Sequence, residues 1–338
     1  MRSLKYLLRR STIDESTKYA YRWLFSRAQQ LQRRSQLHLK SKSLFGIFRH
    51  LIHQYHRHVP IEYLCGSAMF FNRLFIVNQH VLIPRRDSES LIHHIQQLYK
   101  SNKNKQSIIE IGTGSGCLSI TLSRLFPHWQ IHACDISSSA LRIARNNAYL
   151  HHCSNIKFHY GDLFNSHFLE NSSFDMIISN PPYISKDQLS QCNQGIFHEP
   201  SIALFAHPPL KFYSEIIYRA VNGWLKDGGY IVFECSPFNV NQIKELLEDQ
   251  FEQIEISYIC ILIALLSVLS NDAFPYSSYS DDIPASSLDT NLYPKRREVF
   301  DPYGFNSILS RFVKRDQMHK IQKRKIIRLI RQDIYDII

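Results

Sequence analysis

The fold this chain predicts is α/β: a doubly wound, Rossmann-like parallel sheet carrying a small N-terminal helical domain and a connecting β-hairpin. Three observations predict it. Short apolar runs alternate with amphipathic stretches between residues 88 and 259, the pattern of strands and crossover helices. A glycine-rich turn, Gly112-Thr113-Gly114-Ser115-Gly116, stands between the first of those runs and the amphipathic stretch that follows. Ahead of them, residues 13–59 hold helical spacing and no proline until Pro60.

Taken in order, Tyr19, Trp23, Leu24, Ala28 and Leu31, then Leu44, Phe45, Phe48, Leu51 and Ile52, recur at helical intervals, with Arg, Lys, His and Gln on the other faces. Residues 1–60 are therefore expected to form a helical domain. Residues 61–87 alternate as strands do (Phe70–Val77, Val81–Ile83) and predict the hairpin linker. A helix is expected over Ser88–Lys100, with Glu89 in its first turn. Strands follow at Ser107–Ile111, Gln130–Asp135, Ile156–Tyr160, Phe174–Ser179 and Gly229–Glu234. Helices at Cys117–Leu125, Ser138–Leu150, Lys211–Leu225 and Asn239–Asp249 separate most of them, which defines a domain over 88–259. Residues 260–338 read as a divergent extension: an apolar run, a Ser/Asp/Pro-rich stretch, then a basic helical tail from Ser310. The apolar run Ile256–Leu269 is shorter than the roughly twenty residues a membrane helix needs, so no membrane association is expected.

The residues that carry chemistry fall at successive strand ends, where such sheets bind ligands. Glu110 closes the first strand, and glycines at 112, 114 and 116 let the backbone approach a ligand without a Cβ in the way. A nicotinamide-type G-x-G-x-x-G fingerprint would need glycine at position 117, where Cys117 stands. The acid-x-G-x-G-x-G spacing is instead similar to the turn of S-adenosylmethionine-dependent methyltransferases. Asp135, ending the second strand, can accept both hydroxyls of a ribose. Asp162, after the third, is placed to accept from an adenine amino group, with Leu163 packing on the ring. The expected cofactor-binding residues are thus Glu110, Gly112, Thr113, Gly114, Ser115, Gly116, Asp135, Asp162, Leu163 and Asn180.

The fourth strand delivers Asn180-Pro181-Pro182-Tyr183. Neither proline has an N–H, so this rigid segment presents acceptors, which suit the two donors of a planar NH2 group. The ring of Tyr183 can cover the face of the same group. Asn180, Pro181 and Tyr183 are the expected catalytic residues, with Pro182 joining them in holding the acceptor.

Beyond these motifs, Pro60–Gly66, Phe75–Val77 and Val81–Glu89 resemble the hairpin of the HemK/PrmC family, the glutamine methyltransferases of class-1 release factors. Glu110–Leu122, Asp135–Ser137, Ala144–Asn147, Asn180–Ser185 and His198-Glu199-Pro200 extend the resemblance over roughly residues 15–259. It implies a class I methyltransferase sheet, S-adenosyl-L-methionine as cofactor, and transfer of its methyl group to the amide nitrogen of the glutamine in a release factor's Gly-Gly-Gln loop. Three places depart from the family pattern: Arg86 stands where a proline is usual, Ala206–Leu210 replaces a Gly-rich stretch, and Cys260 onward does not match. The family's antiparallel seventh strand therefore has no clear counterpart; Arg296–Asp301 is one stretch able to supply it. Alternatives are methylation of adenine in nucleic acid, methylation of a ribosomal-protein glutamine, and a decayed core serving as an RNA-binding scaffold.

Composition bounds the partners. A net charge of +11 favours acidic surroundings, and proximity to the ribosome or RNA is compatible with it. The acid-free stretch at residues 1–12 fits a short mitochondrial presequence, so a mitochondrial location is expected, and a cytoplasmic one otherwise. Seven cysteines without a C-x-x-C pair, and 17 scattered histidines, point to reduced structural thiols and no metal. A monomer is expected.

Overall fold

The computed structural model describes residues 14–37, 43–100, 104–163, 173–185, 188, 192–248, 250–251, 253–256 and 261–265. The expected presequence, the Arg296–Asp301 stretch and the basic tail lie outside them.

The helical domain consists of α1 (Glu15–Leu37) and α2 (Leu44–His56). Asp14 precedes α1 and accepts from the Thr17 N–H at 2.9 Å, satisfying one of the donors a helix start leaves open. Ser43 caps α2 in the same way, through the Gly46 N–H at 3.1 Å. Leu24, Ala28, Phe48 and Leu51 are buried where the helices meet, and Phe25 stands edge-on to Phe48 at 5.2 Å.

Residues 61–65 correct the expectation of a strand: Ile61–Cys65 is a single helical turn, α3. Pro60 at its N-cap and Gly66 at its C-cap, with φ +76°, bracket it, and that local punctuation overrides the apolar alternation. The hairpin then follows as β1 (Ser67–Phe70) and β2 (Arg73–Ile76), turning tightly through Phe71 and Asn72, both at positive φ. Buried Asn147 ties the hairpin down. Its Oδ1 accepts from the Ile76 N–H at 2.7 Å, and its Nδ2 donates to the carbonyls of Ile76 (3.0 Å) and Ser115 (2.8 Å).

The main sheet is built from β3 (Ser107–Ile111), β4 (Gln130–Asp135), β5 (Ile156–Tyr160), β6 (Phe174–Ser179), β7 (Leu225–Glu234), β8 (Gln253–Ile256) and β9 (Ile261–Leu265). Their order is β5-β4-β3-β6-β7-β9-β8. Strands β3 to β7 run parallel, and β9 lies antiparallel to both neighbours. Helices α4 (Glu89–Leu98), α5 (Cys117–Leu125), α6 (Ser138–Leu150), α7 (Lys211–Arg219) and α8 (Val240–Glu248) accompany the strands, with short 3-10 turns at Gln194–His198 and Ser201–Ala203. Central strands such as β3 and β6 are apolar on both faces because both are covered, and the core has two halves. One holds Ile109, Ile177, Tyr213 and Phe233; the other holds Ile92, Ile108, Trp129 and Ile178.

Two further expectations are corrected. The helix expected over Lys211–Leu225 ends at Arg219 in a wider turn, Ala220–Trp224, because Gly223 takes φ +112°; β7 consequently starts at Leu225 rather than Gly229. The sheet also does not stop at residue 259. Ile261–Leu265 is the antiparallel strand, pairing Ile261 with Glu234 and Leu265 with Tyr230. Leu262, Ile263 and Ala264 are buried, so this part of the apolar run is core filler.

Candidate active site

The order of the strands reverses between β3 and β6, and ligands in such sheets bind beyond the strand ends at that switch point. A cavity of about 320 Å³ lies there. That is small-molecule size, since such sites run from roughly 300 to 1,000 Å³.

One side of the cavity comes from the turn between β3 and α5. Gly112, Gly114 and Gly116 all have positive φ (+75°, +54°, +80°), a region that strains any residue with a Cβ. Their surroundings differ. A Cβ on Gly112 or Gly114 would meet nothing within 4 Å, and both line the cavity. A Cβ on Gly116 would lie 2.9 Å from Ile120 Cδ1 and 3.2 Å from Ala144 Cβ, so this glycine serves the close packing of α5 on α6.

Glu110 holds the turn from behind. It is 2% exposed, and its Oε2 accepts from Thr113 Oγ1 at 2.7 Å, from the Ser119 N–H at 3.0 Å and from the Ser119 hydroxyl. Burial pushes its pKa up to about 7 despite those donors. Asp135 fastens the same turn from β4: one oxygen accepts from the Gly114 N–H and the other from the Ser137 N–H, both at 2.8 Å. Burial raises its pKa as well. Each of its oxygens retains acceptor capacity toward the cavity, whose wall it joins with Asp162 and Leu163.

The other side comes from the end of β6 and the segments that follow it. Asn180, Pro181 and Pro182 line the cavity, and the Asn180 amide donates to the buried Ser88 hydroxyl at 3.2 Å. Tyr183 packs against the core around Tyr213, and burial pushes its phenol up to about 12. Glu199, nearly buried, clasps the linker to this loop: it accepts from the Ile83 N–H at 3.0 Å and pairs with the Arg85 guanidinium at 2.5 Å. The expected residues Gly112, Gly114, Asp135, Asp162, Leu163, Asn180, Pro181 and Pro182 therefore share one cavity wall. Glu110, Thr113, Ser115, Gly116 and Tyr183 are not part of that wall.

Sequence reasoning missed several members of the wall and its support. Val81 and Leu82 from the linker, Ile136 after β4, and Ile202 and Phe212 after the Asn-Pro-Pro-Tyr loop all face the cavity. Val81, Leu82 and Ile136 lay within the stretches that carry the family resemblance, which was a usable signal; Ile202 and Phe212 carried none. Glu234, at the end of β7, is 5% exposed beside Asn180 and went unnoticed in an ordinary-looking strand.

Comparison with known proteins bears directly on this arrangement. The family described as Methyltransferase small domain matches residues 86–207. A release factor glutamine methyltransferase of Bacillus subtilis is 32% identical over 214 residues, covering 62% of this chain and 74% of that protein. This chain belongs to the release factor glutamine methyltransferase family. A bifunctional methyltransferase of Rickettsia bellii is 35% identical over 222 residues; the match covers 57% of this chain but only 39% of that longer protein. Among solved structures, the N-terminal domain of human METTL16 in complex with SAH shares 18% identity, with a TM-score of 0.42 over 57% of this chain and 75% of that one.

S-adenosylmethionine is the cofactor of this methyltransferase, and the residues present fit it. Gly112 and Gly114 leave open a cradle that any side chain would fill, and acidic acceptors from β4 and the β5 end face the same space.

Proposed function

We propose that this chain transfers a methyl group from S-adenosylmethionine to the side-chain amide nitrogen of the glutamine in a Gly-Gly-Gln loop of a class-1 peptide chain release factor. The observation that carries the reading is that Asn180 and Pro181 lie in the wall of the same cavity as Gly112 and Gly114. Acceptors for an NH2 group and the cradle for the methyl donor are thereby brought together. Gly112 and Gly114 admit the methionine portion, Asp135 accepts from the ribose, and Asp162 with Leu163 receives the adenine. Glu110, Thr113, Ser115 and Gly116 keep the turn in shape rather than touching the ligand.

The bound cofactor supplies an electrophilic methyl group on a sulfonium sulfur. A glutamine amide is a weak nucleophile because its lone pair is delocalised, so positioning carries much of the rate. Well-aligned reactants gain about 7–11 kcal/mol from it. Asn180 Oδ1 and the Pro181 carbonyl accept the two amide hydrogens and aim the nitrogen at the methyl. The same two oxygens favour the positive charge that grows on nitrogen during transfer. Tyr183 stays neutral through the physiological range and acts as an apolar backstop. No strong base is required, because the product proton departs to water.

We infer further that the acid-free N-terminal segment and the charge of +11 suit a mitochondrial release factor, near ribosomal RNA, with the enzyme acting as a monomer. Purified protein, methyl-labelled cofactor and a release factor tested together decide the main reading. The expected result is one methyl on the Gly-Gly-Gln glutamine, located by mass spectrometry. Label on an oligonucleotide adenine or on ribosomal protein alone would overturn it.

A further inference from the structure

At the end of β7, the Glu234 carboxyl is 5% exposed and its Oε2 atom is buried with no hydrogen-bond partner among the described residues. The Ser88 and Asn180 side chains lie beside this carboxylate as the donor groups that favour its ionised form, and Ser88 Oγ receives the Asn180 NH2 at 3.2 Å. A buried carboxylate with a spare oxygen has no stabilising reason to sit in a strand end, where an apolar residue would serve better. Its neighbours explain it. A side-chain amide has nearly the same shape in its two flipped orientations, so surrounding hydrogen-bond partners decide which way it faces. A carboxylate accepts and never donates, so it binds the NH2 side of Asn180 and rejects the carbonyl side.

We propose that Glu234 is the positioning residue that sets the orientation of the Asn180 amide, keeping its NH2 inward so that its carbonyl oxygen faces the acceptor nitrogen. This rests on the amide-methylation reading given above. Ser88 is the relay, receiving from Asn180 and donating to Glu234. Protonated Glu234 loses this selectivity, because its own O–H can donate to the Asn180 carbonyl and let the amide turn over. The lone-pair acceptor would then point away from the substrate, and two donors would face its NH2.

Burial pushes the Glu234 pKa up to about 7, with Asp87 reinforcing the shift and Ser88, Asn180 and Arg85 opposing it. Tyr183, Tyr213 and Cys117 also lie in its field; burial pushes all three upward, and they remain neutral across this range. The competent form is the ionised one, so the device is closed at low pH and opens as pH rises through about 7.

The test compares wild type with Glu234→Gln, which keeps shape but can donate. Expected for the variant is a kcat between about tenfold and a hundredfold lower, the scale of a misaligned reacting group. Its S-adenosylmethionine Kd by calorimetry should stay within about twofold, and the acid limb that wild type shows near neutrality should vanish. Wild-type kcat in the variant, or a parallel loss of cofactor affinity, overturns the proposal while leaving the function standing. If wild type fails to methylate a release factor, the function falls first, and side-chain amide NMR still judges Glu234. The Asn180 NH2 resonance, identified by its disappearance in Asn180→Ala, should titrate near pH 7 in wild type and not in Glu234→Gln. A pH-independent Asn180 resonance in wild type sinks the idea.

Discussion

The two halves of the cavity are assembled by opposite means. On the glycine-turn side, the bonds that matter stay within one β-α-β unit: Glu110 to Thr113 and Ser119 across 3 and 9 residues, Asp135 to Ser137 across 2 and to Gly114 across 21. On the Asn180 side, they span the chain: Ser88 to Asn180 across 92 residues, Arg85 and Ile83 to Glu199 across 114 and 116. A locally wired half is shaped by its own segment. A remotely wired half takes shape only when the linker, β6 and β7 have all docked. Cofactor binding should therefore survive damage that stops methyl transfer.

The largest expected effect breaks the two halves apart. Asn180→Ala removes an acceptor of the developing charge and should lower single-turnover transfer by about 10²–10³, the cost of losing one such group. Calorimetry should find cofactor affinity changed by no more than about threefold, short of the tenfold that 1.4 kcal/mol would bring. A matching loss of affinity would show that the halves are one unit.

Next in size is a pH effect that engages both halves through buried acids. Glu110 and Glu234 are each raised from 4.5 to about 7, so the folded state holds protons that the unfolded state has released. The contribution of these two groups to stability should thus be full below about pH 4.5 and be lost as pH rises through 7. Each group contributes up to about 3 kcal/mol to that loss. Denaturant titrations of the cofactor-free protein at pH 5 and 7.5 measure it, and Glu110→Gln or Glu234→Gln should flatten the slope. A slope of the opposite sign would mean that the donors around these carboxylates outweigh their burial.

Two glycines sharpen the contrast within the local half. Gly114→Ala places a methyl in the cradle and should weaken cofactor binding by about tenfold, with about 1 kcal/mol of strain from its positive φ. Gly116→Ala meets Ile120 and Ala144 instead, and should lower Tm more than affinity. Equal effects on both quantities in both variants would erase the distinction. Smallest is Glu199→Gln, which keeps an acceptor for the Ile83 N–H but loses the charge opposite a partly exposed Arg85. A worth of about 0.5–1 kcal/mol predicts a few-fold loss of transfer and no change in cofactor Kd.

The same division governs what could be read from residues alone. The strands Ser107–Ile111, Gln130–Asp135, Ile156–Tyr160 and Phe174–Ser179, and helices α5 and α6, lie where the apolar runs and flanking Gly, Ser and Asp put them. Buried parallel strands must be apolar, and their ends must turn, so both signals are local. The turn's glycines, Asp135 and the Asn-Pro-Pro segment were legible for that reason. Ile61–Cys65 was not, because five residues are too few for helical periodicity to outvote alternation. Strand β9 was not, because an apolar run carries no mark of which strand it will join. Ser88, Glu199 and Glu234 were visible as residues, yet no spacing in the chain shows that they converge on one loop.

Strand β9 has a consequence for how the molecule comes into being. β3 to β7 can pair as they are synthesised, but β7 keeps its Tyr230–Glu234 edge open until residues 261–265 have emerged from the ribosome. An open edge of this kind is a template for pairing with the wrong chain. The strand that ends in Glu234 is thus a vulnerable edge of the nascent protein, and a chain broken off before Ile261 would retain every motif residue while leaving that edge unpaired.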